Sequence, residues 1–269
     1  MIIDGKKIAE EIIARLKTPP KTDKFFAAVL VGDDPASLNF LKQKEKAAGE
    51  LGISFRLYKL PPDITTDELR REIGRLATPK LCGGFIVQLP LPDEINKHYV
   101  LNAIPKEKDA DLLGEAALGA FYSGRHTVVP PSVGTVEEIL KRANLNLRQL
   151  KVVLIGAGFL IGKPVGFWLQ NKVAELTVFD SSAPELRAKL KDADVVVSGA
   201  SRANLFGTED LKPGALVIDF GWNKFDGKTV GDFNPADAEG KSISYTKTPG
   251  GTGPILVAKL FENFYKLNG

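Results

Sequence analysis

A lysine among apolar neighbours is the first chemical signal in the sequence. On a helix at about 100° per residue, Phe40, Lys44 and Leu51 share one face, flanked by Ala47 and Ala48, with Leu41 at its edge. Lys42 and Lys46 point the other way. An unpaired ammonium in such a stripe costs several kcal/mol or gives up its proton. Lys44 therefore needs a partner, an acceptor network or a ligand; the alternative is a stem that carries the charge out to solvent. A lysine with a lowered pKa moves protons at neutral pH. Gln88 ends an apolar run just before Pro90 and Pro92. Its amide either faces a crevice beyond a strand end or satisfies loop backbone. Asp109 and Asp111, within 106–111, read on their own as part of a charged loop.

A second chemistry is written in glycines. Residues 152–164 run Val-Val-Leu-Ile-Gly-Ala-Gly-Phe-Leu-Ile-Gly-Lys-Pro. A strand, a glycine turn and a helix start let backbone approach a pyrophosphate, whose charge suits the amides at a helix N-terminus. Gly162 falls one residue late for the G-x-G-x-x-G spacing. The turn alone thus fits a dinucleotide site or a tight turn in another α/β domain. Asp180 closes the next apolar run. There a carboxylate accepts the adenosine ribose hydroxyls and repels the extra phosphate of NADP; its other reading is a cap on the turn at 181–184. The two features together favour a dinucleotide, with a lean towards NAD. The loop at 248–254, Thr-Pro-Gly-Gly-Thr-Gly-Pro, opens the last helix. Its glycines bring backbone close to a flat ligand or simply make turns.

These residues need a scaffold of parallel strands. Residues 25–31 (FFAAVLV) read as a buried strand, followed by Asp34 as a helix cap and Pro35 in the first helical position, the helix running to about Leu51. A strand at 54–60, a helix at 66–77 and a strand at 84–89 follow. Strand–helix alternation predicts parallel strands with crossover helices. A second series places strands at 152–155, 176–180, 195–198 and 216–220, with helices at 159–170 and 184–190. A short turn near Glu209, a tight Asp226-Gly227 turn and an amphipathic helix at 255–267 complete it. The predicted class is α/β with two domains, the boundary falling between about 123 and 135.

Composition narrows the function classes. The 269 residues suit two modest domains. At 43% hydrophobic and 26% charged, wholesale disorder is excluded. Lys+Arg exceeds Asp+Glu by only 36 to 33, without clustering or aromatic interleaving, so no nucleic-acid partner is expected. The single cysteine, Cys82, excludes an intrachain disulfide, and with only His98 and His126 no metal site is expected. The longest mostly apolar run, 152–162, contains three glycines and is too short to span a bilayer. No secretory signal order is visible at the N-terminus. A soluble cytoplasmic protein without a membrane partner is the expectation.

Several motifs, in order along the chain, resemble the bifunctional methylenetetrahydrofolate dehydrogenase/methenyltetrahydrofolate cyclohydrolase family. They are Val31-Gly32-Asp33-Asp34-Pro35-Ala36-Ser37, Gly84-Phe85-Ile86-Val87-Gln88-Leu89-Pro90-Leu91-Pro92, Lys108-Asp109-Ala110-Asp111, the turn at 156–164, Val217-Ile218-Asp219 with Gly221 and Asn223, Gly231-Asp232, and 248–254. The resemblance implies a folate-binding α/β domain at 1–130 and a Rossmann-type NAD(P) domain at 131–248. It also implies that 249–269 packs back on the first domain, and that the protein is a homodimer acting on tetrahydrofolate derivatives. Lys44 matches the catalytic lysine, Gln88 the glutamine beside it and Asp111 the aspartate that holds the pterin. Phe40, Pro90 and the loop residues Gly250, Gly251, Gly253 and Pro254 fall on the substrate side. Gly156, Ala157, Gly158, Phe159, Ile161, Gly162, Asp180, Ser181, Gly199 and Asp219 fall on the cofactor side.

The chain departs from the family at informative places. Phe40 stands where members usually carry tyrosine, so it can stack on a flat ring but offers no hydroxyl to a proton relay. Leu112-Leu113-Gly114-Glu115 replaces Gly-Phe-x-Pro, and Val129-Pro130-Pro131-Ser132-Val133-Gly134 replaces the usual Cys/Pro-Thr-Pro stretch. Dehydrogenase activity is therefore expected to survive better than cyclohydrolase activity. Two other readings stand beside this one. Another two-domain dehydrogenase of amino-acid or shikimate type explains the glycine turn and Asp180, but not Lys44, Gln88 and the 250–254 loop together. A non-catalytic folate- or nucleotide-binding homologue explains the altered segments.

Overall fold

A computed structural model describes residues 1–18 and 22–269. In chain order its elements are β1 (Ile2–Ile3), α1 (Gly5–Leu16), β2 (Phe25–Val31), α2 (Pro35–Leu51), β3 (Phe55–Leu60), α3 (Thr66–Ala77), β4 (Cys82–Val87), α4 (Lys97–Leu101), α5 (Glu115–Tyr122) and α6 (Pro131–Arg142). After these come β5 (Lys151–Ile155), α7 (Gly162–Leu169), β6 (Glu175–Phe179), α8 (Leu186–Leu190), β7 (Val195–Ser198), β8 (Phe206–Gly207), β9 (Leu216–Asp219), β10 (Asn223–Phe225), β11 (Lys228–Val230), β12 (Phe233–Asn234), β13 (Ser244–Thr246) and α9 (Thr252–Asn268). Two compact units result. One comprises Glu10–Pro131 with Val257–Gly269, the other Met1–Ala9 with Ser132–Leu256.

The first unit is built on a three-stranded parallel sheet in the order β3-β2-β4. All seven residues of β2 are buried, as a strand covered on both faces requires. Asp34 caps α2 by accepting from the Ser37 amide at 2.7 Å, Pro35 starts it, and Gly52 ends it at φ 71°. A capping box of Thr65 and Glu68 starts α3. Phe26, in the middle strand, meets Phe261 and Phe264 of α9 at ring-centre distances of 5.2 and 5.7 Å. The last helix therefore belongs to the core of this unit. Gly84 makes room for that contact, since a Cβ there would lie 2.7 Å from the Phe264 ring.

The second unit carries a six-stranded, all-parallel sheet in the order β1-β13-β9-β7-β5-β6. From β5 the chain crosses by α7 to β6 on one side, then returns by α8 to β7 on the other. That reversal is the topological switch point of a doubly wound sheet. The Asp226-Gly227 turn joins the β10–β11 hairpin with both residues at positive φ, 48° and 72°. Among the described residues no helix is long and apolar enough to cross a membrane. Several elements differ in extent from expectation: the third strand of the first unit is Cys82–Val87, leaving Gln88 just beyond it, the glycine-turn helix begins at Gly162 rather than 159, β6 ends at Phe179 and leaves Asp180 beyond it, α8 begins at Leu186, and α9 begins at Thr252 rather than 255.

Candidate active site

Side chains on a helix lean towards its N-terminus. Lys44, midway along α2, thus reaches back towards the carboxyl end of β4. It is only 5% exposed. Its Nζ donates to Gln88 Oε1 at 3.0 Å, and Gln88 Nε2 donates to the Leu89 carbonyl at 2.7 Å. Both ends of the amide are therefore used and its orientation is fixed. The half-buried Phe40 ring, one turn earlier on α2, has its centre 4.8 Å from the amine. Burial pulls the Lys44 pKa below the ordinary lysine range, and the Asp111 carboxylate pulls it back up. Asp111 feels the reverse: burial raises its pKa and the Lys44 charge lowers it. The two form an electrostatically coupled pair on the first unit, with Pro90 exposed after a cis peptide.

The segment that presents Asp111 is tied down along its length. Lys108 Nζ donates to the carbonyls of Ala77, Thr78 and Pro79 at 2.5, 3.2 and 2.9 Å, closing the end of α3. The Lys108 carbonyl accepts from the Phe85 amide of β4 at 2.7 Å. Asp109 is fully buried and accepts from the amides of Leu113 and Gly114 at 3.0 and 2.8 Å. Burial pushes its pKa up to about 7, against the downward pull of those amides. Leu112 turns the chain at φ 54°. Asp109 thus acts inside the fold, and Asp111 is the carboxylate coupled to the lysine.

In the second unit the candidate residues gather at the carboxyl edge of the sheet. Gly156 sits at φ 86°, and a Cβ there would meet the Gly199 carbonyl at 2.8 Å. A Cβ on Gly162 would lie 1.8 Å from the Gly156 carbonyl, and one on Gly199 would lie 3.0 Å from Ile161. These four residues lock together between the ends of β5 and β7. Gly158 is different: nothing lies within 4 Å of its virtual Cβ, and both it and Ala157 are exposed, with Phe159 half-buried beside them. The first turn of α7 carries no acidic residue and its cap, Ile161, supplies no side-chain bond, so no carboxylate competes for that end. Open backbone at a helix N-terminus beside the switch point fits a dinucleotide.

Asp180 is exposed and accepts from the Ser182 amide at 3.0 Å and its hydroxyl at 2.6 Å. Those bonds hold its pKa below the usual carboxylate range. Ser181 is met by Arg202, whose Nη1 donates to the Ser181 carbonyl at 3.0 Å and contacts its hydroxyl at 3.4 Å. Arg202 was not anticipated from sequence. Asp232, noted only as part of the Gly231-Asp232 motif, gathers the Ser198 hydroxyl, the Ala200 and Arg202 amides and Asn223 at 2.7, 2.8, 2.9 and 3.2 Å. Asp219, expected on the cofactor side, commits its carboxylate to the amides of Gly221 and Phe233 at 2.7 and 2.9 Å. Burial raises its pKa to about 7. Its backbone also holds the loop after β13, through Thr246 Oγ1 at 2.8 Å and Thr252 Oγ1 at 2.9 Å. That loop belongs to the second unit. Gly250 has φ 96°, Gly251 is packed against Lys247, and Gly253 and Pro254 are half-buried, with open space at Gly253.

Comparison with known proteins decides the family. The "Tetrahydrofolate dehydrogenase/cyclohydrolase, catalytic domain" family matches residues 3–111, and its NAD(P)-binding domain matches 130–268. The "Bifunctional protein FolD" of Heliobacterium modesticaldum is 38% identical over 272 residues, covering 97% of this chain and 93% of that protein. The chain belongs to the tetrahydrofolate dehydrogenase/cyclohydrolase family. A crystal structure of the bifunctional FolD enzyme from Campylobacter jejuni matches with a TM-score of 0.93 at 33% identity, covering 99% of this chain and 98% of that one. The Trypanosoma brucei enzyme, solved with NADP and an inhibitor, matches at 0.92 and 31%, covering 99% and 96%. Full-length likeness to this family favours neither the shikimate-type dehydrogenase nor the non-catalytic alternative.

Proposed function

We propose that this member oxidises 5,10-methylenetetrahydrofolate to 5,10-methenyltetrahydrofolate and hydrolyses that product to 10-formyltetrahydrofolate, with Lys44 as the group that moves the protons. The observation that carries the reading is a buried amine bonded to Gln88 and coupled to Asp111, in a chain of this family. A bound nicotinamide cofactor supplies the hydride acceptor. Gly156, Ala157, Gly158, Phe159, Ile161, Gly162 and Gly199 shape the backbone that would hold it. Asp219 acts through the loop it organises.

Dehydrogenation asks the chain for orientation more than for acid–base chemistry. Phe40 and Pro90 would line the folate, and Asp111 would hold the pterin. Hydrolysis asks for more. Water adds to the methenyl carbon and gives up one proton; the adduct then passes its hydroxyl proton to N5, whose bond to that carbon breaks as the formyl C=O forms. The lowered pKa leaves a larger share of Lys44 neutral, so it can accept that proton and return it. Gln88 keeps the amine aimed. The test is purified protein with methylenetetrahydrofolate and each nicotinamide cofactor, followed by methenyl build-up and decay. Turnover to the formyl product supports the reading, and binding without turnover refutes it.

For the cofactor, NAD is favoured over NADP. Asp180 stands negative at the end of β6, where a 2′-phosphate would come close. The Arg202 guanidinium over Ser181 offsets part of that repulsion, so NADP use is weakened rather than abolished. A kcat/KM for NADP above that for NAD would refute this preference. The homodimer implied by the family is tested by sedimentation of the intact chain.

A further inference from the structure

Asn263 lies on α9 and is only 3% exposed. A carboxamide so deeply placed must spend its hydrogens inside the protein. Its Nδ2 donates to the Ala110 carbonyl at 2.9 Å and to the Val129 carbonyl at 2.7 Å. The Ala110 carbonyl belongs to the peptide plane that leads into Asp111. Asn263 therefore grips the very peptide from which the lysine's partner hangs, and ties it to the start of the stretch at 129–134.

We propose that Asn263 is a positioning residue, fixing the 110–111 peptide so that the Asp111 carboxylate stays opposite the Lys44 amine. The inference rests on the reading that Lys44 and Asp111 work as a pair. The other ties of the segment act elsewhere: Lys108 anchors its start on α3 and β4, and Asp109 gathers the amides that follow. The charges acting on this pair are few. Asp111 and Lys44 act on each other, and the Asp111 charge is also felt by Asp109. Gln88 and the Phe40 ring complete the surroundings of the amine. Releasing the 110–111 peptide lets the carboxylate move away, so the lysine loses the charge that holds its proton.

The experiment reads the Lys44 pKa directly, by NMR of protein carrying [ε-13C]lysine, with Lys44→Arg identifying the resonance. Asp111→Asn sets the scale and should lower that pKa by about 1 unit or more. Asn263→Ala should lower it in the same direction by a smaller amount, and kcat for hydrolysis should gain an acidic limb displaced to lower pH. Phe264→Leu, which thins the packing of the same helix on Phe26, should leave the Lys44 pKa in place. Should the alanine variant fail to fold, Asn263→Ser, which retains a hydroxyl donor, carries the test with a smaller shift expected. An unchanged pKa in the Asn263 variants, with Asp111→Asn active on it, overturns the positioning role alone. Equal shifts in the Asn263 and Phe264 variants also overturn it. No shift in Asp111→Asn overturns the pairing itself, and the inference with it.

Discussion

Replacing Lys44 by methionine separates the two activities. Methionine keeps an unbranched apolar stem, so the packing that surrounds a residue only 5% exposed is largely retained. The substitution removes a charge held in a dry site, which is favourable, and strands Gln88 Oε1 without its donor, which costs about 1–3 kcal/mol. Asp111 also loses its counter-charge. Removing one member of a buried charge pair costs about 3–5 kcal/mol, less as Asp111 takes up a proton in place of its lost partner. The effect on the chemistry is separate. A positioned proton carrier contributes roughly 10²–10⁴-fold, equivalent to about 3–5 kcal/mol of barrier, so Lys44→Met should lose hydrolysis by that factor. Hydride transfer, which depends on orientation, should fall by less than about tenfold. The assay follows methenyl formation from methylenetetrahydrofolate, then the decay of methenyltetrahydrofolate supplied directly. Undiminished decay refutes the role of Lys44. Equal loss of both activities in a folded variant refutes it as a proton carrier and leaves it a binding group.

Phe40→Tyr keeps the ring beside the amine and adds a hydroxyl, and should raise the hydrolysis rate severalfold in the same decay assay; no change makes the hydroxyl dispensable. Gly162→Ala sets a Cβ 1.8 Å from the Gly156 carbonyl and should cost about 1–3 kcal/mol in denaturant titration. Gly158→Ala meets nothing within 4 Å, so it should leave stability nearly unchanged while raising the cofactor KM about tenfold or more; the opposite pattern would invert the assignment of the two glycines. Asp109 holds its proton up to about pH 7 in the fold, against 3.8 for the ordinary group. The folded state then binds more protons than the unfolded chain across that window, so stability falls as pH climbs from about 4 to about 7, by up to about 1.4 kcal/mol per unit. Asp219 adds a slope of the same sign. Asp109→Asn should flatten the dependence in denaturant titrations across the window, and a slope equal to the parent's would refute the shift.

The parallel strands were legible because burial on both faces leaves an unbroken apolar run, as in FFAAVLV, and because Asp34-Pro35 announces a helix start. Lys44 was legible for the converse reason: a charge that interrupts an apolar stripe conflicts with packing and so points to chemistry. What escaped depended on distance along the chain. β1 and β13 have two and three residues, too few to show a period, and they pair across almost the whole sequence. α1 opens on Gly5, a poor helix former, although Asp4 accepts from the Lys6 and Lys7 amides and its Ile8, Ala9, Ile12 and Ile13 stripe is buried. α6 opens on Pro131 within a Pro-Pro-Ser-Val-Gly stretch that reads as a turn, yet proline suits a first helical position. The choice between Asp109 and Asp111 was invisible to spacing, because it is made by the left-handed Leu112 and by the amides of Leu113 and Gly114. Arg202 was hidden because it follows β7 and Ser181 follows β6, with β5 lying between them in the sheet.

On the proposed reading the two reactions draw on different kinds of structure, so one should be more easily weakened than the other. A site for the dinucleotide is made of main chain: glycines whose Cβ atoms would collide, a helix end left uncapped, strand ends in fixed register. Substitutions elsewhere barely perturb it. On the same reading hydrolysis hangs on the ionisation of Lys44, balanced between burial, which favours the neutral amine, and Asp111, which favours the charged one. Phe40 shifts that balance. Its ring, 4.8 Å from the amine, stabilises the ammonium by about 0.5–2 kcal/mol, while its lack of a hydroxyl removes a route by which the proton could leave. The first effect acts against a neutral lysine, the second against proton transfer, and neither touches the glycine turn. A single aromatic side chain can therefore lower the hydrolytic rate while the oxidation that precedes it continues.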